Sequence, residues 1–210
     1  MGDLAAGPIS RVPGVRRIAV LRANALGDLV FALPALESLR AAYPEAEIVL
    51  LGRAWHRAFL ARRPAPVDRV IPVPPGAIGD EPQRMDDARR KTFMDSLRAE
   101  RFDIALQMHG GGRHSNPFVR AMGARLTAGP ATPDAPPLDR VIPYVYYQSE
   151  YARCLEIVGL AGARPAGLRP RLAVTDADRA DTHRESFVAD VPVEEVLDGA
   201  LDLLGTPRVA

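Results

Sequence analysis

The chain is predicted to fold as an α/β protein, a Rossmann-like parallel sheet flanked by helices. Short β-branched apolar runs alternate with amphipathic stretches along most of its length. Successive runs are separated by crossovers long enough for parallel βαβ units. Two of the turns that follow strands, ANALGD and HGGGRHSN, are built from small and polar residues, as expected of the ligand-binding edge of such a sheet.

The first unit opens with RIAVLR at 17–22, a strand, and passes through ANALGD into an amphipathic stretch at 29–43. There Leu29, Leu33, Leu36 and Leu39 recur every three or four residues, with Glu37, Ser38 and Arg40 on the opposite face. Pro34 inside this pattern predicts either a kink or the point where the regular helix begins. EIVLLG follows as the second strand. Further along, the pattern predicts a helix at 55–62, a strand at 68–73, a charged helix at 85–100 and a strand at 102–108. A helix at 117–122 and a short strand in ARLTAG come next, then GPATPDAPPLDRVIP, read as a loop because of its proline content. A last amphipathic helix at 150–158 ends at Gly159. Three regions are expected: a flexible N-terminus at 1–16, the Rossmann-like lobe at 17–170, and a tail at 171–210 with one helix at 193–204.

With 210 residues and 47% hydrophobic content, a well-filled core is expected. The longest apolar runs, IVLL and FALPAL, fall far short of the roughly 20 residues that cross a bilayer. The first residues carry no apolar signal segment, which predicts a cytoplasmic protein. Cys154 is the sole cysteine, so no internal disulfide forms, and it reads as a small buried hydrophobe. A net charge of +1 offers no general field for a polyanion, and no nucleic-acid partner is expected. Lys91 is the only lysine; such reliance on Arg arises in GC-rich bacterial genomes and also suits planar recognition of phosphate or carboxylate.

The chemistry is expected where strands end. In ANALGD, Asn24 and Gly27 are candidate contacts, Gly27 by allowing close backbone approach or a positive φ. Asp28 falls near the start of the following helix, where it serves as an N-cap or, ionised, accepts a proton from a sugar hydroxyl. In the second loop, His109, Gly110, Gly111, Gly112 and Arg113 combine freed backbone amides with a guanidinium fork that suits a phosphate or carboxylate. Arg53 and Arg57, with Arg62 and Arg63, form a basic cluster that meets an anionic acceptor or is a solvated helix face. Trp55 beside them reads as packing more than as a sugar platform. The first turn lacks G-x-G-x-x-G and the second lacks a Walker lysine, so neither a dinucleotide cofactor nor a P-loop is predicted. His56, His109, His114 and His183 have no metal-ligand spacing, and no metal is expected.

Taken in order, RIAVLRANALGDLVFALPALESLRAAYPEAEIVLLGRAW, VDRVIPVP and FDIALQMHGGGRHSNPFVRAMGARLTAG resemble the heptosyltransferases of glycosyltransferase family 9 over residues 17–129, with a weaker continuation to about residue 180. The most specific part is Leu26-Gly27-Asp28 followed by Pro34. The resemblance implies the N-terminal lobe of a two-lobed GT-B enzyme: a bacterial, metal-independent, inverting transferase of lipopolysaccharide biosynthesis without a cofactor. It implies Asp28 as general base, a nucleotide sugar such as ADP-heptose as donor substrate, and a glycan or lipid-linked saccharide as acceptor, with peripheral association at the inner membrane surface. Where the family carries an acidic residue and a glutamine, this chain reads Gln107-Met108-His109, so the acceptor does not carry over. No counterpart of the family's donor lobe is recognised after Arg171, so a nucleotide sugar is expected to bind only if a donor lobe is supplied. The alternative is a non-catalytic module that binds a glycan or a protein.

Overall fold

The structure is a computed structural model that describes residues 9–79 and 85–181. Six strands, β1 (Arg17–Leu21), β2 (Glu47–Gly52), β3 (Arg69–Pro72), β4 (Ile104–Gln107), β5 (Leu126–Ala131) and β6 (Arg140–Pro143), form one parallel sheet in the order β3-β2-β1-β4-β5-β6. The helices α1 (Leu26–Ala42), α2 (Ala54–Leu60), α3 (Asp87–Ala99) and α4 (Ser115–Ala121) connect β1 to β5 in turn, and α5 (Glu150–Gly159) follows β6. The predicted α/β class is therefore the observed one.

Side chains of a strand alternate between faces, and β1 shows the consequence. Ile18 and Val20 enter a core with Leu36, Leu39, Cys154 and Ile157 from α1 and α5, whereas Ala19 and Leu21 enter another with Met94, Leu97, Phe118 and Val119 from α3 and α4. Cys154 is buried as expected, and burial pushes its thiol pKa up. Helix α1 is enclosed on more than one side. Ser38, expected on the polar face, is fully buried; its hydroxyl donates to Pro34 O at 2.6 Å and accepts from Ala166 N at 3.0 Å. Pro34 does not mark the start of the helix, which begins at Leu26 and runs through it.

The proline-rich stretch after Gly129 is not all loop, as β5 continues to Ala131 and Arg140–Pro143 forms β6. Both exceptions have the same cause. Pairing of β5 with β4 stops at Ala128, and β6 is an edge strand, so Pro130 and Pro143 occupy positions where a missing amide removes little from the ladder. Helix α4 begins at Ser115, ahead of the expected 117. The stretch 9–16, grouped with a flexible terminus in the sequence, is hydrogen bonded to the end of α1: Arg11 donates to Ala42 O, and Val12 N donates to Tyr43 Oη.

At the amino edge of the sheet, Arg17, Glu47, Arg69 and Glu100 form a ring of ion pairs at 2.7–3.2 Å that ties β1, β2 and β3 to the end of α3. The described residues from Ala173 onward belong to a second unit, in which α6 (Asp176–Asp181) is capped by Thr175: Asp178 N donates to Thr175 Oγ1, and Thr175 N to Asp178 Oδ2. The helix expected at 193–204 lies outside the described residues. Among the described residues, no helix is long and apolar enough to cross a membrane.

Candidate active-site crevice

Strand order reverses between β1 and β4, and the chain leaves their carboxyl ends in opposite directions, toward α1 and α4. This topological switch point opens a crevice, the usual ligand site of an open α/β sheet. Both loops singled out in the sequence lie there.

The N-cap of α1 is Ala25, with extended backbone and no polar side chain. Asp28 is therefore not the N-cap. It stands three residues inside the helix, and its Oδ2 accepts the Ala25 amide at 3.1 Å, the reciprocal half of a capping box. Its Oδ1 accepts from Arg22 Nη2 at 2.8 Å. The side chain keeps 30% exposure, so the carboxylate can still receive a ligand hydroxyl. Gly27 has no positive φ, and a Cβ there would meet nothing within 4 Å. Of its two expected uses, only close approach of a ligand remains.

The glycine loop is shaped mainly by its own neighbours. Gln107, fully buried, donates to Asn116 Oδ1 at 3.0 Å and to Gly110 O at 3.3 Å, while accepting the His109 amide at 2.5 Å. Gly112 has a φ of +98°, and a Cβ would fall 2.5 Å from Asn116 Nδ2. At Gly111 a Cβ would fall 2.7 Å from Thr132 Cγ2. These glycines are thus demanded by the fold before any ligand arrives.

Asn24, His109, Gly110, Gly111, Gly112 and Arg113 share one cleft of about 530 Å³ with Thr132, Asp134 and Tyr144, residues that follow β5 and β6. Arg113 is 3.9 Å from Asp134. The Thr132 hydroxyl is the main cause that holds the Asp134 carboxyl below its usual range, with Arg113 and His114 adding to it. The cleft thus carries a cation and a carboxylate, both largely exposed, among its lining residues.

The basic cluster does not converge. Arg53 Nε donates to Ala23 O at 2.7 Å, beside Asn24, but Arg57 reaches toward Val70 O at 3.5 Å, against β3, and Arg63 lies over the Phe59 ring. Trp55 stacks on His56 and meets Phe59 edge-on while keeping 37% exposure. His56 itself is fully buried. Its Nδ1 accepts the Arg53 amide at 2.8 Å, and its pKa is lowered to about 4, chiefly by burial. A slightly larger groove, about 610 Å³, is lined by Arg11, Ala42 and Arg164 at the amino edge of the sheet, away from the switch point. We therefore place the candidate site in the crevice.

Sequence reasoning passed over Arg22, Thr132, Asp134, Tyr144, Glu150 and Arg153. The rule that selected the first two loops, applied to β5 and β6 as well, points to Thr132, Asp134 and Tyr144. The loop after β6 was hidden because β6 was read as part of a loop.

This architecture, with its crevice at the switch point, defines the chain as a Rossmann-like, doubly wound α/β lobe. No family profile matches the chain. It is 32% identical over 89 residues to lipopolysaccharide heptosyltransferase 2 of Salmonella typhimurium, covering 42% of this chain and 24% of that protein. The glycosyl transferase family 9 structure from Veillonella parvula superposes with a TM-score of 0.63 at 16% identity, covering 84% of this chain and 51% of that one. The structure of E. coli ADP-heptose LPS heptosyltransferase II gives 0.59 at 20% identity, covering 81% and 51%. These likenesses show a Rossmann-like fold shared with glycosyltransferase family 9 structures, and the chain spans about half the length of those solved structures and about a quarter of the curated relative.

Proposed function

We propose that the chain is the acceptor-binding lobe of a heptosyltransferase-like enzyme, which moves a heptose or related sugar from a nucleotide sugar such as ADP-heptose to a lipopolysaccharide core or similar glycan. The observation that carries this reading is Asp28: a partly exposed carboxylate in the first turn of α1, oriented by Arg22 and by the Ala25 amide, four residues after Asn24, which lines the cleft at the switch point. The sequence likeness to a lipopolysaccharide heptosyltransferase supports the choice of sugar. Asp28 takes the proton of an acceptor hydroxyl while that oxygen attacks the anomeric carbon. The bond to the diphosphate breaks, and the nucleoside diphosphate leaves with inversion. Asn24, His109 and the loop at Gly110, Gly111, Gly112 and Arg113 hold the acceptor, Gly27 admits it close to the helix, and Arg53 shapes the rim through Ala23. Arg57 has no part in this arrangement. The reaction draws on no metal or cofactor, and donor binding falls to a second lobe.

ADP release in the presence of ADP-heptose, a core oligosaccharide and a donor lobe supplied in trans tests the reading. The account expects release that depends on acceptor and falls at least about 100-fold in Asp28→Asn. Equal release by Asp28→Asn would remove Asp28 as base. Saturable oligosaccharide binding with no release under any donor supply would favour the glycan-binding module instead.

A further inference from the structure

Asp28, Arg22, Glu150 and Arg153 form an alternating chain of charge across the crevice. Arg22 follows the last residue of β1 and is 2% exposed. Its Nη2 donates to Asp28 Oδ1 at 2.8 Å and its Nε to Asp28 O at 3.2 Å, while its Nη1 donates to Glu150 Oε2 at 3.0 Å and to Met108 O at 2.5 Å. Glu150, in the first turn of α5, pairs through its other oxygen with Arg153, which is equally buried and lies 4.2 Å from the centre of the Tyr144 ring. Two guanidiniums are thus out of water, while both carboxylates keep about a third of their surface. A buried cation needs its counter-charges, and here one cation is divided between two carboxylates.

We propose that Glu150 is a positioning residue that sets the proton affinity and the orientation of Asp28 through Arg22. The functional consequence rests on Asp28 being the base, although the geometry does not. A carboxylate held by an undivided buried guanidinium is a poor proton acceptor; by occupying Nη1, Glu150 partly neutralises the cation that Asp28 meets at Nη2. Among the described residues, charged or titratable groups near the pair include Arg153 and the thiol of Cys154 on α5, the latter kept neutral by burial, His109 next to the Met108 carbonyl that Arg22 binds, and Arg53, which binds Ala23 O from the end of β2. The dipole of α1 also favours the charged carboxylate. None of these shares a guanidinium with Asp28 as Glu150 does.

The test is a carbon-detected NMR titration of the Asp28 carboxyl in the full chain. Replacing Glu150 by Gln keeps the shape and removes the negative charge, so Arg22 turns wholly to Asp28, whose pKa falls by about 0.5–1 unit. Arg22→Gln acts in the opposite sense and raises it by about one unit or more. If Glu150→Gln loses the fold, Glu150→Asp retains the charge but withdraws it from Nη1, and a smaller fall is expected. An Asp28 titration unchanged within about 0.2 unit in a folded Glu150 variant overturns the proposal, because a merely structural bridge alters stability and not this titration. Failure of the transferase reading appears in the ADP-release assay and leaves these shifts in place, so the two outcomes are separable.

Discussion

Alanine at Gly112 and at Gly27 should have opposite effects on stability, because one glycine is demanded by the fold and the other is not. At Gly112 an alanine must hold a φ of +98°, worth about 1–3 kcal/mol of strain. Its Cβ would also lie 2.5 Å from Asn116 Nδ2. Asn116 is fully buried and cannot withdraw without weakening its bonds to Gln107 and to Pro136 O, each worth about 1 kcal/mol. Against this, alanine restricts the unfolded chain by about 0.4–1 kcal/mol. The net loss is about 2–4 kcal/mol, or a fall of about 1–2 M in the urea midpoint for a slope near 2 kcal/mol/M. Gly27 is helical with open space around it, so Gly27→Ala should raise stability by up to about 0.5–1 kcal/mol. It should also weaken acceptor binding if the ligand approaches the backbone there. Urea unfolding of both variants decides the stability claim. A Gly112→Ala loss below about 0.5 kcal/mol, or a greater loss at Gly27, would refute it.

Acid should destabilise the fold partly through His56. Its folded pKa of about 4 lies below the unfolded 6.5, so the stability due to its neutral form is present above pH 6.5 and is lost as pH falls toward 4, by at most about 3 kcal/mol. His56→Phe should flatten the urea midpoint between pH 7 and 4.5, and an unchanged slope would count against the assignment. The Glu100 carboxyl is held low, first by its hydrogen bonds from Arg69. Its contribution is therefore present above the unfolded carboxylate range and is lost as pH falls through the folded value. Glu100→Gln should lower stability by about 0.5–1 kcal/mol at pH 7, and less in 1 M salt; a loss independent of salt would contradict an ionic role. Asp86 caps α3 by accepting Arg89 N at 2.9 Å. Asp86→Ala should remove about 1 kcal/mol in thermal unfolding, and an unchanged melting temperature would contradict the cap.

Strand and helix alternation was legible because the apolar runs at 18–21, 48–51 and 104–106 pack with alternate residues on the two faces of a parallel sheet and so lack polar interruptions. What escaped depended on contacts distant in sequence. Ser38 looks solvent-facing on a helical wheel, and only the return of the chain at Ala166 buries it. Arg22 reads locally as a polar stop after RIAVL, whereas its partner Glu150 lies 128 residues further on. The proline rule hid β6 because it cannot distinguish an edge strand from a loop. Glycines 110–112 were correctly marked as special, although local sequence could not say that Asn116 and Thr132, not a ligand, enforce two of them.

The central claim is that a saccharide acceptor binds in the crevice beside Asp28, and amide NMR mapping of the full chain with a lipopolysaccharide core oligosaccharide tests it most directly. The account predicts saturable shifts at Asn24, Gly110, Gly111, Gly112, Arg113 and Thr132, retained in Asp28→Asn. Shifts centred instead on Arg11, Ala42 and Arg164, at the amino edge of the sheet, would contradict it.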